Sequence, residues 1–259
     1  MFLISLRPQE PHVRFNTTGK THVTTAFITG ATSGIGRAMA LALSEAGTDV
    51  YAVGRSKAAL EELRAARPGI TPIAADITDR EAMEAAVAGL HIDVLINNAG
   101  IMPPLGNFAD MAMSDIVATL EVNLGSAILL TRLVVPQMRA RGAGHVLFTG
   151  SIAGHAPFAN IAVYSATKAA ISGFAASLRA DLSPCGVRVT EIVAGRVETQ
   201  LYKDILGAEA RAAMYGGNVV VQPDDIAKMV LAVLSLPASA DVTRFDIMPT
   251  RPTSPSGTR

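Results

Sequence analysis

The stretch HVTTAFITGATSGIGRAMALALSEAG (residues 22–47) joins a predicted buried strand to a predicted amphipathic helix through a glycine-rich loop. An apolar run predicts the strand over residues 22–30, and apolar residues at helical spacing predict the helix over 35–47. The glycines of the loop follow the spacing G-x-x-x-G-x-G, which differs from the more common G-x-G-x-x-G. Such a loop lets a pyrophosphate approach the backbone beside the N-terminus of the helix. The stretch therefore predicts a dinucleotide site.

The rest of the chain continues this alternation of strands and helices. Six further strands are predicted over residues 49–54, 70–76, 92–100, 144–151, 187–195 and 240–249. Further helices are predicted over residues 56–67, 78–90, 114–141, 160–183 and 223–236. Thr78, with Glu81 three residues later, is the expected N-cap of its helix. The alternation predicts an α/β fold, a Rossmann-type doubly wound parallel sheet of about seven strands with helices on both faces.

The regular pattern occupies residues 23–248, which we expect to form a single domain. Residues 1–22 read as a flexible extension, and residues 249–259 read as a C-terminal tail. Residues 196–222 follow the sixth strand and are irregular apart from a weak helical patch, so we expect them to form a lid over the substrate.

Composition excludes several classes of partner. The chain carries 22 basic and 22 acidic residues without a long run of like charge, which argues against binding to nucleic acid or an anionic membrane. No apolar run approaches the ~20 residues of a membrane span. Cys185 is the only cysteine, so no intramolecular disulfide can form, which fits the cytoplasm. The five histidines are dispersed, and together with Cys185 they predict no metal site.

The end of the second predicted strand bears on the choice of cofactor. An acidic residue about 20 positions beyond the glycine loop usually binds the free ribose 2′-hydroxyl of NAD. Gly54 and Arg55 occupy this place, and a guanidinium can instead bind a 2′-phosphate. Arg55, assisted by Ser56 and Ser33, therefore favours NADP(H) over NAD(H). The alternative is that Arg55 is an ordinary exposed arginine.

The stretch AVYSATKAAI (residues 162–171) places Tyr164 and Lys168 one turn apart on a predicted helix. Ser151 lies thirteen residues before Tyr164, at the end of the fifth predicted strand. Open α/β sheets bind ligands at the carboxyl ends of their strands, so these side chains are expected to share one site.

These motifs together resemble the classical short-chain dehydrogenases/reductases. The matching pieces are TGATSGIG (residues 29–36), Asp76 with Ile77, NNAG (97–100), Asn123, Ser151, YSATK (164–168) and AGRVET (194–199). The C-terminal half is more loosely similar to the NADP-dependent 3-hydroxy acid (serine-type) dehydrogenases and the sulfoacetaldehyde reductases. The chain departs from the family at Ala194, where a proline is usual and would hold the backbone turn more rigidly.

The resemblance implies a catalytic set of four residues. Tyr164 would exchange a proton with the substrate oxygen, and Lys168 would lower the pKa of that tyrosine and hold the nicotinamide ribose. Ser151 would hydrogen-bond the carbonyl or hydroxyl, and Asn123 would hold a water in a proton relay toward Lys168. The implied cofactor contacts are Gly30, Thr32, Ser33, Gly34, Ile35, Gly36, Arg55, Ser56, Asp76, Ile77, Asn98, Ala99, Gly100, Tyr164, Lys168, Gly195, Val197 and Thr199.

The substrate is less well determined by the sequence. Ser151, Ala153, His155, Arg196 and Tyr202 are the expected contacts, and His155 is read as part of the pocket wall. Arg196 is the exceptional cation near a mostly apolar pocket, and we interpret it as the receptor for a carboxylate or sulfonate. The alternative is that Arg196 is exposed or paired with Glu198.

The resulting hypothesis is an NADP(H)-dependent alcohol dehydrogenase or carbonyl reductase for a small substrate, such as a 3-hydroxy acid. A silent NADP(H)-binding regulator or scaffold on the same fold is one alternative, and a reductase of carrier-bound 3-oxoacyl chains is another. The predicted helices over 114–141 and 160–183 are apolar around much of their circumference. The resemblance implies an oligomer, and these apolar helix faces agree with a homodimer or homotetramer.

Overall fold

The structure, a computed structural model, describes residues 25–203, 205–215 and 220–250. Within these residues, seven strands form one sheet in which every neighbouring pair is parallel. The strands are β1 (Thr25–Thr29), β2 (Asp49–Gly54), β3 (Ile70–Ala74), β4 (Val94–Asn97), β5 (Gly144–Thr149), β6 (Val187–Ala194) and β7 (Arg244–Ile247). The predicted fold class is confirmed.

Eight α-helices in the described part of the chain connect or follow these strands. They are α1 (Gly34–Glu45), α2 (Lys57–Ala66), α3 (Arg80–Val87), α4 (Met113–Leu120), α5 (Ser126–Arg141), α6 (Ala162–Leu182), α7 (Ala208–Tyr215) and α8 (Pro223–Leu234). Single 3-10 turns lie at Phe108–Asp110, Ile152–Gly154, Ser183–Cys185 and Gln200–Tyr202.

The order of the strands, β3-β2-β1-β4-β5-β6-β7, reverses direction between β1 and β4. Connections to either side of this switch point leave a crevice beyond the carboxyl ends of the strands, which is where doubly wound sheets bind ligands. The loops that follow β1, β4, β5 and β6 all open into this crevice.

Alternating strand residues face two separate cores, one on each side of the sheet. Ile28 of β1 belongs to the core formed with α1 and α8, while its neighbour Phe27 belongs to the core formed with α5 and α6. Both side chains are fully buried. Because both faces are covered, the strands are apolar on both sides, which is typical of a parallel sheet between helices.

The N-cap of α3 differs from the prediction. Asp79, rather than Thr78, caps the helix, and its carboxylate accepts a hydrogen bond from the Ala82 backbone N–H at 3.0 Å. The Thr78 hydroxyl instead donates to Asp76 at 2.8 Å. The prediction was wrong because it overlooked this competing acceptor two residues before Thr78.

A π-helical turn, Glu121–Gly125, joins α4 to α5 and produces one helical run, Met113–Arg141. By length and composition this run could cross a membrane, and it is the one such run found in the described residues. The expectation concerned an uninterrupted apolar run of about 20 residues, and Glu121, Arg132 and Arg139 interrupt this one. Val134 and Met138 on one side of α5 are fully buried against the sheet, so the run also serves as a core helix.

The two ends of the predicted lid are hydrogen-bonded to each other. Val221 donates its backbone N–H to Arg196 at 3.2 Å, and Glu198 donates to Val221 at 3.1 Å. Between these ends lie the 3-10 turn Gln200–Tyr202 and α7. The predicted extension, residues 1–22, and residues 251–259 of the predicted tail lie outside the described residues.

Candidate active site

A cavity of about 720 Å³ lies at the carboxyl ends of the strands. It extends from Arg55 and Asp76, past the glycine loop, to Tyr164 and Lys168, and it continues beneath the predicted lid at Tyr202. Its volume is in the usual range for a small-molecule or cofactor site. One continuous cavity thus contains the nucleotide-loop residues and the Tyr–Lys pair.

Most of the predicted cofactor contacts line this cavity. They are Gly30, Thr32, Ser33, Gly34, Ile35, Arg55, Asp76, Ile77, Asn98, Ala99, Gly100, Tyr164, Lys168, Gly195, Val197 and Thr199. Two predicted contacts do not line it. Gly36 packs against the carbonyl of Gly30, and the Ser56 hydroxyl caps α2 by accepting a hydrogen bond from the Ala59 backbone N–H.

The glycine loop is shaped to receive an anion at the start of α1. Gly30 has a φ of +64°, and a Cβ at this residue would lie 2.8 Å from the Cα of Ala99, so only glycine fits without strain. Ser33 is the N-cap of α1, but its side chain makes no capping hydrogen bond, and the first turn contains no acidic residue. The first backbone N–H groups of α1 therefore remain available for a negatively charged ligand.

The end of the cavity at Arg55 suits an anionic group. A Cβ at Gly54 would lie 2.5 Å from the Cγ2 of Thr32, so an acidic side chain does not fit at this position. Arg55, the next residue, is exposed and lines the cavity. The Asp76 carboxylate accepts hydrogen bonds from the backbone and hydroxyl of Thr78, which lower its pKa; the nearby charge of Arg55 lowers it further.

Asn98 braces the edges of three strands. Its side-chain amide donates to the carbonyls of Thr29 at 3.1 Å and Gly30 at 3.2 Å, and its Oδ1 accepts from the hydroxyl of Thr149 at 3.1 Å. These bonds join the ends of β1, β4 and β5. The side chain of Asn98 thus positions the glycine loop in addition to lining the cavity.

Tyr164 is 7% exposed and lies on the first turn of α6. Burial raises the pKa of its hydroxyl well above the ordinary value, Tyr202 raises it further, and a hydrogen bond with Ser151 opposes the change. The expectation that the charge of Lys168 lowers this pKa stays a prediction, since the ammonium lies near the ring but makes its hydrogen bond to another group. Its Nζ lies 5.6 Å from the centre of the tyrosine ring and donates to the carbonyl of Thr149 at 2.7 Å.

Lys168 is itself buried, at 5% exposure. Burial lowers its pKa to about 8, and the carboxylate of Glu191 opposes that shift. The lysine is therefore predominantly protonated at neutral pH and loses its charge in the mildly alkaline range.

Asn123 lies in the π-helical turn and is almost fully buried. Its Oδ1 accepts from the Ile101 backbone N–H at 2.7 Å, and its Nδ2 donates to the Ile101 carbonyl at 2.9 Å. It does not line the cavity. The side chain thus holds the loop after β4, and Gly100 of that loop lies beside both Asn123 and Lys168.

The substrate end of the cavity is mostly apolar. Ser151, Ala153, Arg196 and Tyr202 line it as predicted, together with Ile101, Met102, Ile152, Phe158, Ile161, Leu201 and Ile205. Burial raises the pKa of Tyr202, and Tyr215 adds to this, while the positive charge of Arg196 opposes it. Arg196 is exposed at the mouth of the cavity.

His155 does not line the cavity, so its predicted place in the pocket wall was wrong. The 3-10 turn Ile152–Gly154 directs its ring toward β6, where Nε2 lies 2.9 Å from Oε1 of Glu191. The polar partner was hidden from sequence reasoning because it lies 36 residues away in the chain.

The departure from the family's proline at Ala194 leaves the following turn anchored. Ala194 is the last residue of β6, and Gly195 donates its backbone N–H to the Ile247 carbonyl at 2.9 Å. The neighbouring residues Val197 and Thr199 line the cavity, and the Thr199 hydroxyl accepts from the Leu201 backbone N–H at 3.3 Å.

Several cavity residues were not predicted. Met248 and Pro249 line it immediately after β7, and the rule that ligands bind beyond the carboxyl ends of strands would have indicated them. Thr149 contributes a backbone carbonyl, which has no side-chain signature in a sequence. Within the described residues, no group of three His, Cys, Asp or Glu side chains is arranged to hold a metal ion.

Comparison with known proteins gives three consistent similarities. A family model described as short chain dehydrogenase matches residues 24–210. An uncharacterised short-chain type dehydrogenase/reductase of Sinorhizobium fredii is 46% identical, over 87% of this chain and 91% of the relative. The NADP-dependent 3-hydroxy acid dehydrogenase of Escherichia coli strain K12 is 33% identical, over 86% of this chain and 93% of the relative.

Among solved structures, the closed form of a serine dehydrogenase complexed with NADP⁺ resembles this fold with a TM-score of 0.86. The two sequences are 31% identical, and the match covers 91% of this chain and 98% of the other. The similarity therefore extends over most of the chain.

Proposed function

Since the chain belongs to the short-chain dehydrogenase/reductase family, we propose that it is an NADP(H)-dependent oxidoreductase acting on a small alcohol or carbonyl compound. The observation that carries the proposal is the continuity of one cavity from Arg55 and the glycine loop to Ser151, Tyr164 and Lys168. A proton donor and a dinucleotide cradle in one cavity suit hydride chemistry.

The residues present fit NADP(H). The open N-terminus of α1 would bind the pyrophosphate, and Arg55 would bind the 2′-phosphate through charge-assisted hydrogen bonds. Gly195, Val197 and Thr199 would hold the nicotinamide end, and Lys168 its ribose. When bound, the cofactor supplies the hydride in reduction and accepts it in oxidation. A relative and a solved structure that name NADP support this preference.

Tyr164 would handle the proton. Because its pKa is raised, the hydroxyl is neutral at physiological pH and can donate a proton to the oxygen of a carbonyl substrate. Ser151, which is hydrogen-bonded to Tyr164, would polarise the same oxygen. The positive charge of Lys168 would stabilise the tyrosinate that forms when the proton leaves. Asn123 would support this group by fixing the loop beside Lys168.

We propose that the substrate is small and carries an anionic group that Arg196 binds. The cavity beneath the predicted lid, residues 196–222, is mostly apolar, and its polar lining residues are Arg196, Ser151, Thr199, Gln200 and two tyrosines. A guanidinium at the mouth of such a cavity would select a carboxylate or sulfonate. Two similar proteins are a 3-hydroxy acid dehydrogenase and a serine dehydrogenase, whose names refer to substrates of this kind.

The test is the rate of NADPH and NADH oxidation with a panel of small aldehydes, ketones, 3-oxo acids and sulfonates. We expect turnover with NADPH and an anionic carbonyl compound. Replacing Arg196 with Ala should raise KM for anionic substrates by about 10–100-fold, the value of a charged hydrogen bond, and leave neutral ones nearly unchanged. Equal effects on both classes would contradict the role of Arg196. Tight NADPH binding without any turnover would favour a regulator.

The chain also offers a surface for a second copy of itself. On the helical run of α4 and α5, four apolar side chains are exposed: Met113 (72%), Val117 (48%), Leu120 (41%) and Leu129 (42%). An apolar helix face of this kind suits association into a homodimer or homotetramer. Sedimentation as a 26.9 kDa monomer alone would contradict this proposal. With its one cysteine, Cys185, free, we place the protein in the cytoplasm.

A further inference from the structure

The middle of β6 carries a buried carboxylate. The side chain of Glu191 is 6% exposed. Its neighbours in the strand, Thr190 and Ile192, are also buried. A charge removed from water to this extent is strongly unfavourable unless other groups compensate it. The groups around Glu191 therefore indicate what the charge does.

Two side chains orient the carboxylate. Ser172 of α6 donates its hydroxyl to Oε2 at 3.0 Å, and Nε2 of His155 lies 2.9 Å from Oε1. Because an ionised carboxylate only accepts hydrogen bonds, Nε2 of His155 carries the hydrogen. These two bonds come from different elements and fix the plane of the carboxylate. When the imidazole is neutral, neither donor carries a charge that would compensate that of Glu191.

The other cations near Glu191 already have acidic partners. Arg179 and Arg244 line the same small cavity as Glu191, between α6 and β7. Arg179 is paired with Asp241 at 2.7 Å, and Arg244 is paired with Asp246 at 2.8 Å. The charges of both arginines are therefore largely neutralised locally.

Lys168 is the buried cation that still needs a negative charge. In the described part of the chain, no carboxylate lies within 4.0 Å of its Nζ. Its ammonium donates to the carbonyl of Thr149, and the next residue, Gly150, contacts Glu191: a Cβ at Gly150 would lie 2.5 Å from Oε1. The ammonium and the carboxylate thus contact consecutive residues at the end of β5. The carboxylate of Glu191 is also the group that raises the pKa of Lys168 against burial.

We propose that Glu191 is a positioning residue, a buried counter-charge that keeps Lys168 protonated while His155 and Ser172 hold its carboxylate in place. The proposal rests on the catalytic role of Lys168 in the proposed function. Other titratable or charged groups facing this pair are Tyr164 and Arg179 on α6, His155 beside its 3-10 turn, and Arg244 on β7. None of them supplies a carboxylate.

The activity test uses the pH dependence of kcat/KM for NADPH-dependent reduction. Glu191→Gln keeps the size and hydrogen-bonding capacity of the side chain but removes its charge. The alkaline loss of activity, set by Lys168, should move to lower pH by about one unit, the usual influence of a nearby opposite charge. Ser172→Ala, which keeps the charge, and Glu191→Asp, which restores it, should leave the pH of this alkaline loss nearly unchanged. If the alkaline loss of activity occurs at the same pH in Glu191→Gln as in the wild type, the proposal is overturned.

A second measurement needs no activity. The difference in unfolding free energy between the wild type and Lys168→Met, measured without cofactor, should begin to change near the pKa of Lys168, about pH 8. In the Glu191→Gln background the same change should begin about one pH unit lower. Should Glu191→Gln not fold, Glu191→Met provides the same comparison with an apolar side chain.

These two measurements separate the two proposals. If the stability difference caused by Lys168→Met begins to change at the same pH in the Glu191→Gln background, Glu191 is not the counter-charge, even in an active enzyme. If this change begins at a lower pH but the protein shows no turnover, the result supports the role of Glu191 and contradicts the proposed function.

Discussion

Replacing Lys168 with Met should stabilise the protein at neutral pH while removing its activity. Burial lowers the pKa of Lys168 from the ordinary value of 10.5 to about 8. At about 1.4 kcal/mol per pKa unit, holding this charge in the folded protein costs about 3 kcal/mol at pH 7. Met has a similar length, carries no charge and packs well in an apolar environment.

The loss of one hydrogen bond opposes this gain. Without the ammonium, the carbonyl of Thr149 loses its donor at 2.7 Å, which costs about 1–3 kcal/mol for a buried acceptor. We therefore expect Lys168→Met to be more stable than the wild type by roughly 0–2 kcal/mol at pH 7, the difference between these two estimates.

The pH dependence gives the sharper test. Because the folded pKa of Lys168 is depressed, the unfolded chain binds more protons than the folded one between about pH 8 and pH 10.5. The free-energy cost of burying the charged Lys168 is fully present below pH 8. It is removed as the pH rises through this window. The wild type should thus gain about 3 kcal/mol relative to Lys168→Met between pH 7 and pH 10.5.

The assay is urea unfolding of both proteins at several pH values, without cofactor. Lys228→Met is the matched control, since Lys228 lies on α8 with 76% of its side chain exposed, and it should show no comparable trend. A stability difference between the wild type and Lys168→Met that is constant over this pH range would refute the reasoning about Lys168.

Two further predictions concern the cofactor end and the strand edge. Arg55→Ala should raise KM for NADPH by about 10–100-fold and leave KM for NADH nearly unchanged, because the charged hydrogen bonds bind only the 2′-phosphate. Steady-state kinetics with both cofactors measures this effect. An equal rise in KM for both cofactors would contradict the prediction. Thr29→Val keeps the side-chain shape but removes the hydroxyl that accepts from the backbone N–H groups of Asn98 and Ala99, each at 3.1 Å. It should cost about 2–6 kcal/mol of stability for two unpaired donors and weaken NADPH binding, measured by urea unfolding and fluorescence titration. An unchanged affinity would mean that Thr29 does not shape the glycine loop.

The fold could be predicted from sequence because its signals are local. The run from the first strand through the glycine loop to α1 combines an apolar strand, an expected turn and helical periodicity within 26 residues. The same pattern recurs along the chain, and parallel strands joined by helices permit few arrangements. The positions of Tyr164 and Lys168 at the carboxyl edge follow from that topology.

The remaining features depend on contacts between distant parts of the chain. His155 was expected in the pocket wall, but its partner Glu191 lies on another strand, and no periodicity indicates this pair. The raised pKa of Tyr164 follows from burial and from Tyr202 on the predicted lid, neither of which the spacing of Tyr164 and Lys168 contains. Asp79 caps the helix in place of Thr78 because the Thr78 hydroxyl bonds to Asp76, two residues earlier.

The most direct test of the proposed reaction is the single-turnover rate of NADPH oxidation by wild type and Tyr164→Phe, mixed with an excess of a small 3-oxo acid. NADPH affinity is measured for both by fluorescence. We predict nearly equal affinities and a rate in Tyr164→Phe that is lower by at least about 100-fold, the usual contribution of a positioned proton donor. A Tyr164→Phe variant that binds NADPH and oxidises it as fast as the wild type would contradict the assignment of Tyr164 as the proton donor.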